Sequence, residues 1–388
     1  MRIACVACAG LLALAPAGLA SAQSVEPAGQ GGFVTQWNVQ SAAGLDAVLM
    51  LGVGGGDVLQ AHYYADTAAF MRERMSPEAV AAMDRVGEHM RSRGGLTGPA
   101  LALVFSAGHV DSLADVIRSA SDPDTHLRPQ LETSPNWDEA RYDGLMQLMP
   151  DIRLALEGLR DIGFDAWYAS EVMPLLEPAI AANLQAVSAY DIIPEQARLL
   201  GTPLSPQIDI IIVRFAQPYG IRILGQRFIA YYGWDADIQL RVAAHEIFHP
   251  PFDREDPEIL SRLASLEADP WMQSIVTNHN PDFGYNSFMG VVNEDSTQAL
   301  DQIVSERIGV ARDPGQRWSH ADGGMHLLAA ALYHAMKEDG FDETGGHYAR
   351  WLISAFDRGM LTPQEVRRRA SEVVGPDPVQ HWYDVMTD

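Results

Sequence analysis

The chain has 388 residues, 47% of them hydrophobic and 20% charged, enough for a sizeable core and too apolar for a disordered acidic protein. Its 51 acidic residues outnumber 27 basic ones, a formal net charge of -24. That balance argues against nucleic-acid binding through a basic surface, which needs Lys and Arg to displace counterions, and it disfavours anionic membranes.

The N-terminus reads as a secretory leader. Arg2 supplies a positive charge, an apolar run extends from Ile3 to Leu19, and Ala20-Ser21-Ala22 is a small-x-small cleavage signature. The run is shorter than the ~20 residues of a usual membrane span. The expected mature chain begins after Ala22 and is periplasmic or extracellular. Cys5 and Cys8 leave with the leader, so the mature chain has no thiol ligand, disulfide or Cys nucleophile. No later stretch reaches ~18 uninterrupted apolar residues, so no membrane span is expected in the mature chain.

Residues 23–34 read as a flexible start, and a helical pattern follows. Helices are expected over 41–53, 66–74, 77–91, 99–106, 112–119, 143–162 and 165–190. Ser76 supplies an N-cap with Pro77 at the first helical position. The glycines at 54–56 act as a breaker, and 120–137 reads as a surface loop. Gly52 to Gly56 lacks a preceding strand and a terminal Lys-Ser/Thr, so it is a turn and not a phosphate loop. The helix over 165–190 is expected to bend at Pro174 and Pro178.

The texture changes at Gly201. Ile208–Phe215 is short and β-branched, Gln217-Pro218-Tyr219-Gly220 is turn chemistry, and Ile221–Tyr232 is a second strand-like run. Together they predict an antiparallel hairpin. Helical periodicity resumes at Asp237, with further pieces near 257–267, 286–308, 323–339, 344–358 and 363–374. The expected fold class is α+β, mainly α, with a helical region over 23–200 and a region over 201–388 that carries a small antiparallel sheet. The two regions are expected to form one compact unit.

The chemistry concentrates at His245-Glu246-Ile247-Phe248-His249. Histidines four apart on a helix share a face and can reach one zinc ion. Glu246 lies beside that face, placed to take a proton from a water that zinc has acidified. Pro250 and Pro251 end the helix directly after His249.

With the strand pair before it, this motif resembles that of the zincin metallopeptidases. The resemblance implies zinc ligation by His245 and His249, with Glu246 as general base. It also implies a small sheet beside the motif helix, whose edge strand holds an extended peptide or protein substrate. The metzincin continuation is absent, because Pro250-Pro251-Phe252-Asp253-Arg254-Glu255 stands where Gly-x-x-His would follow. The gluzincin pattern instead asks for a Glu on a later helix.

Glu255 and Glu258 follow the double proline too closely, and Glu267 ends a short polar helix. Glu294 sits early on an apolar-periodic helix with Asp301 on its face, so it is the expected third ligand, with Glu306 as runner-up. The 44 residues between His249 and Glu294 imply an insertion near 251–283. A donor for the transition-state oxyanion is expected at His326, with Tyr285 as second choice.

The expected activity is that of a secreted zinc metallopeptidase of gluzincin type. Two alternatives stand beside it. One is a zincin-fold binding or scaffold protein with weak or no hydrolysis. The other is a helical solute- or envelope-binding protein in which the motif is accidental.

Overall fold

A computed structural model describes residues 9–11, 33–134 and 137–387. The expected leader and its cut after Ala22 lie outside these residues, apart from the backbone of Ala9–Leu11. The chain is mainly helical with one small sheet. Among the described residues, no helix is long and apolar enough to cross a membrane. Backbone contacts divide the chain into two units. One holds Trp37–Ala186 with Asp209–Asp235, and the other holds Val187–Ile208 with Ala236–Asp388. The segment 209–235 thus groups with the N-terminal helices, and the motif lies in the second unit.

The first unit is built on the helix Ala43–Gly55, buried from Gly44 to its end. The three-glycine breaker stops it two residues later than its apolar pattern suggests. Gly54 and Gly55 stay helical, and Gly56 caps the helix at φ 84°. Close packing explains the glycines: a Cβ on Gly87 of the helix Pro77–Ser92 would come 2.3 Å from the Gly55 carbonyl oxygen. Ser76 caps that second helix by accepting from the Ala79 amide. The expected loop over 120–137 contains two short helices, Pro123–His126 and Arg128–Leu131. The expected long helix over 165–190 is broken into Phe164–Trp167, a π-turn at Tyr168–Val172 and Met173–Val187.

The sheet is mixed, not antiparallel. Its strands are β1 (Ala9–Leu11), β2 (Gln36–Ser41), β3 (Gln207–Val213), β4 (Tyr219–Ile223) and β5 (Arg227–Tyr231), in the order β1-β4-β5-β3-β2. The hairpin forms between β4 and β5, with Ile221 opposite Ile229, around a turn that places Gly225 at φ 79°. β3 pairs in parallel with β5, with Ile211 opposite Ile229. It therefore lies between β5 and β2 as an interior strand.

The buried carboxylate of Asp46 deflects the chain at the end of β3. It accepts the Arg214 amide at 2.9 Å, the Phe215 amide at 2.9 Å and the Tyr168 hydroxyl at 2.9 Å. Those amides are then lost to a neighbouring strand, and the chain turns away before β4 begins.

Burial raises the pKa of Asp46 from 3.8 to about 6, although these hydrogen bonds and the charge of Arg214 favour the ionised form. A folded-state value above the unfolded one means that the fold tolerates the protonated carboxyl better than the carboxylate, so the contribution of Asp46 to stability is greatest below about pH 4 and is lost as the pH rises through about 6. In paired unfolding titrations, the stability of wild type relative to Asp46→Asn should fall across that window. The expected fall is on the order of 3 kcal/mol, and a flat difference would contradict it.

Candidate metal centre

The motif helix runs from Ala236 to Glu246, so His245 lies in its last turn and His249 lies beyond it. The helix was expected to carry both histidines. Instead the chain tightens after Glu246, with the Phe248 amide bonded to the His245 carbonyl at 3.1 Å. Gln196 serves this end of the helix, its Nε2 donating to the carbonyls of Ala243 and Ala244, each at 3.2 Å. The two imidazoles still converge, with ring centroids 4.7 Å apart and planes at 72°.

The third group comes from the helix Phe288–Ile308, capped by Ser287. Asn293, Glu294, Asp295, Ser296, Thr297 and Gln298 are six consecutive polar residues, all buried. Glu294 reaches both histidines: Oε1 lies 3.5 Å from His245 Nε2, and Oε2 lies 3.5 Å from His249 Nε2. The two Nε2 atoms are 2.9 Å apart.

These three residues can hold a metal ion. Ligand atoms about 2.0–2.1 Å from a tetrahedral ion stand ~3.3 Å from one another, close to the separations seen here. The polar partners of His245 and Glu294 agree. His245 Nδ1 faces Asp301 Oδ2 at 2.7 Å, an acceptor, so the neutral ring carries its proton on Nδ1 and turns the Nε2 lone pair toward the other ligands. Glu294 Oε1 accepts from Gln298 Nε2 at 3.0 Å, while Oε2, fully buried, has no hydrogen-bond partner among the described residues. A bound cation would satisfy that oxygen. His249 Nδ1 lies 3.2 Å from the side-chain amide of Asn293 and 3.3 Å from Thr297 Oγ1, which donates its own proton to the Asn293 carbonyl; ligation through Nε2 needs the Asn293 amide turned so that its oxygen accepts from Nδ1.

The charge balance also calls for a cation. Burial works against protonation of His245, but Glu294, Asp301 and Glu246 outweigh it and raise the pKa to about 9. Burial pushes Glu294 upward, against the pull of His245. Burial also acts upward on Asp301, yet Arg317 and His245 hold it below the ordinary carboxylate value.

Glu246 is buried next to His245 in sequence, at 1% exposure, against 6% for each histidine of the motif. His326 does not stand open to a substrate. It is wholly buried, with Nδ1 2.6 Å from Asp295 Oδ1 and Nε2 2.8 Å from Asp322 Oδ2. Burial opposes its charge, but the two carboxylates raise its pKa to about 10. An imidazolium locked this way holds its elements together and has no N–H left for an oxyanion. Tyr285, the second choice, packs edge-on against that ring with centroids 5.6 Å apart, at a backbone φ of 54°.

Glu306 lies in a different network, bonded to Tyr333 Oη at 2.6 Å and Lys337 Nζ at 3.3 Å. Glu267 is exposed at the end of the helix Pro257–Glu267. Together with Pro270–Asn278, that helix fills the expected insertion.

Several supporting residues escaped the sequence reading: Gln196, Thr297, Gln298, Arg317, Trp318 and the Asp295–Asp322 pair around His326. The available signal was the unbroken polar run Asn293–Gln298 after the apolar start of that helix. A solvated helix face does not place six polar residues in a row.

No family model matches this chain, and neither a curated protein nor a solved structure matches it.

Proposed function

We propose that this protein is a zinc-dependent peptidase of gluzincin type, with His245, His249 and Glu294 as metal ligands and Glu246 as general base. One observation carries the reading: three ligand atoms from separate positions in the chain converge within 4.8 Å of one another. Zinc is favoured over harder cations by two imidazoles and one carboxylate, a set that leaves a fourth position open. When bound, zinc supplies Lewis acidity and lowers the pKa of water to about 7. Glu246, buried and acidic, accepts the proton of the attacking water and passes it to the leaving amine. Asp301 keeps His245 in the tautomer that presents Nε2. Tyr285 is the remaining candidate to donate to the oxyanion, since both nitrogens of His326 are engaged.

A second reading has its own support. The low exposure of the metal group also suits a binding or scaffold protein that holds zinc for stability. The mature, secreted form should contain about one zinc per chain and cleave members of a broad peptide library, and Glu294→Ala should contain less than about a tenth of an equivalent after dialysis. Wild type without zinc would overturn both readings. Wild type with zinc and no cleavage would leave the scaffold.

A further inference from the structure

Two of the three ligands are held from one small element. The helix Pro314–His320 is seven residues long, with Pro314 in its first turn and Asp313 as cap. It sits close against its neighbour, since a Cβ on Gly315 would come 2.8 Å from the Val373 carbonyl oxygen. Its consecutive residues Arg317 and Trp318 are both buried and both point into the polar helix that carries Glu294.

Arg317 grips Asp301 with two parallel bonds, Nη1 to Oδ1 at 2.5 Å and Nη2 to Oδ2 at 2.9 Å. Asp301 Oδ2 in turn accepts from His245 Nδ1. Nη1 also donates to Gln302 Oε1 at 3.0 Å, which fixes the guanidinium plane. Trp318 Nε1 donates to Gln298 Oε1 at 2.9 Å. An indole N–H can only donate, so it decides which way the Gln298 amide faces. The Gln298 NH₂ is thereby aimed at Glu294 Oε1, and Oε2 is left for the metal.

We infer that Pro314–His320 is the clamp of the metal centre, with Arg317 and Trp318 as positioning residues that set its metal affinity through Asp301 and Gln298. The inference rests on the reading of His245, His249 and Glu294 as a metal centre. Neither residue touches the metal. Each restricts the angle of one ligand before the ion arrives, so the ordering cost is met during folding.

The test uses the full mature protein and zinc alone, in competition with a chelator of known affinity. It is repeated with cobalt(II), whose visible bands report ligand geometry. Arg317→Met should raise the zinc Kd about 10–100-fold. Arg317→Lys keeps a cation and one bond to Asp301, so it should recover part of that loss. Trp318→Phe keeps the ring in place and removes only the N–H. It should raise the Kd about tenfold or less and shift the cobalt bands.

The lysine rescue and the band shift separate positioning from a general loss of packing. If Arg317→Met does not fold, Arg317→Lys and Trp318→Phe decide. Folded variants with a Kd within about twofold of wild type and unchanged cobalt bands would overturn the clamp while leaving the metal centre intact. Wild type that binds neither ion would overturn the metal centre, and the clamp with it.

Discussion

Glu246→Gln should keep the metal and lose about 10²–10⁴-fold or more of the peptide hydrolysis rate. The two functions separate because they reside in different atoms. Metal affinity comes from His245, His249 and Glu294, whose polar atoms converge. Glu246 contributes a basic oxygen, and Gln keeps its size and hydrogen bonding without the base. The substitution also removes a negative charge near His245, whose protonated form that charge favours. Any change in metal affinity should therefore be small beside the change in rate. The measurements are zinc content after dialysis and kcat/KM on a cleaved peptide, made on one preparation. A variant that retains zinc and more than about a tenth of the rate would exclude Glu246 as the base.

His249→Ala has the other large effect, on binding itself. It removes one of three ligands and leaves Glu294 Oε2 facing a cavity. The metal Kd should rise by more than about 100-fold, beyond the upper end of what the loss of an outer partner costs. Stability gives a second readout. An ion that binds only the native state raises the unfolding midpoint in proportion to the logarithm of its concentration. Added zinc should therefore raise the melting temperature of wild type and leave that of His249→Ala nearly unchanged. Equal zinc-induced shifts in the two proteins would place the metal elsewhere.

The motif and its third partner were legible for different reasons. His245-Glu246-x-x-His249 is a local spacing, and local spacing survives in sequence because helix geometry translates it directly into distance. Glu294 was legible through periodicity, as an acid early on an apolar helix with Asp301 seven residues later. The structure brings both to His245, Glu294 as a facing carboxylate and Asp301 as the partner of Nδ1. His326 shows the limit of such reasoning. A histidine at a helix start in the right half of the chain suggested a donor, yet Asp295 and Asp322 occupy both of its nitrogens. Asp322 lies only four residues away, but the turn that brings it back has φ 48° at Asp322 and φ 69° at Gly323. No periodic pattern predicts such a turn.

The sequence by itself determined the mainly helical character, most helix positions in the second unit, the existence of strands before residue 237, and the His-Glu-His motif. These depend on contacts among near neighbours, which hydrophobic periodicity and capping residues record. Strand pairing was decided only by tertiary structure. β3 pairs with β5 rather than β4, and Asp46, more than 160 residues upstream, takes the amides that follow β3. The same holds for the clamp at Arg317 and Trp318, and for the fate of His326. Each is a pairing of buried polar groups distant in sequence or joined by an irregular turn, enforced by the cost of leaving a donor or acceptor unsatisfied in the core. That cost is assessed across the whole fold, so no local window of sequence contains it.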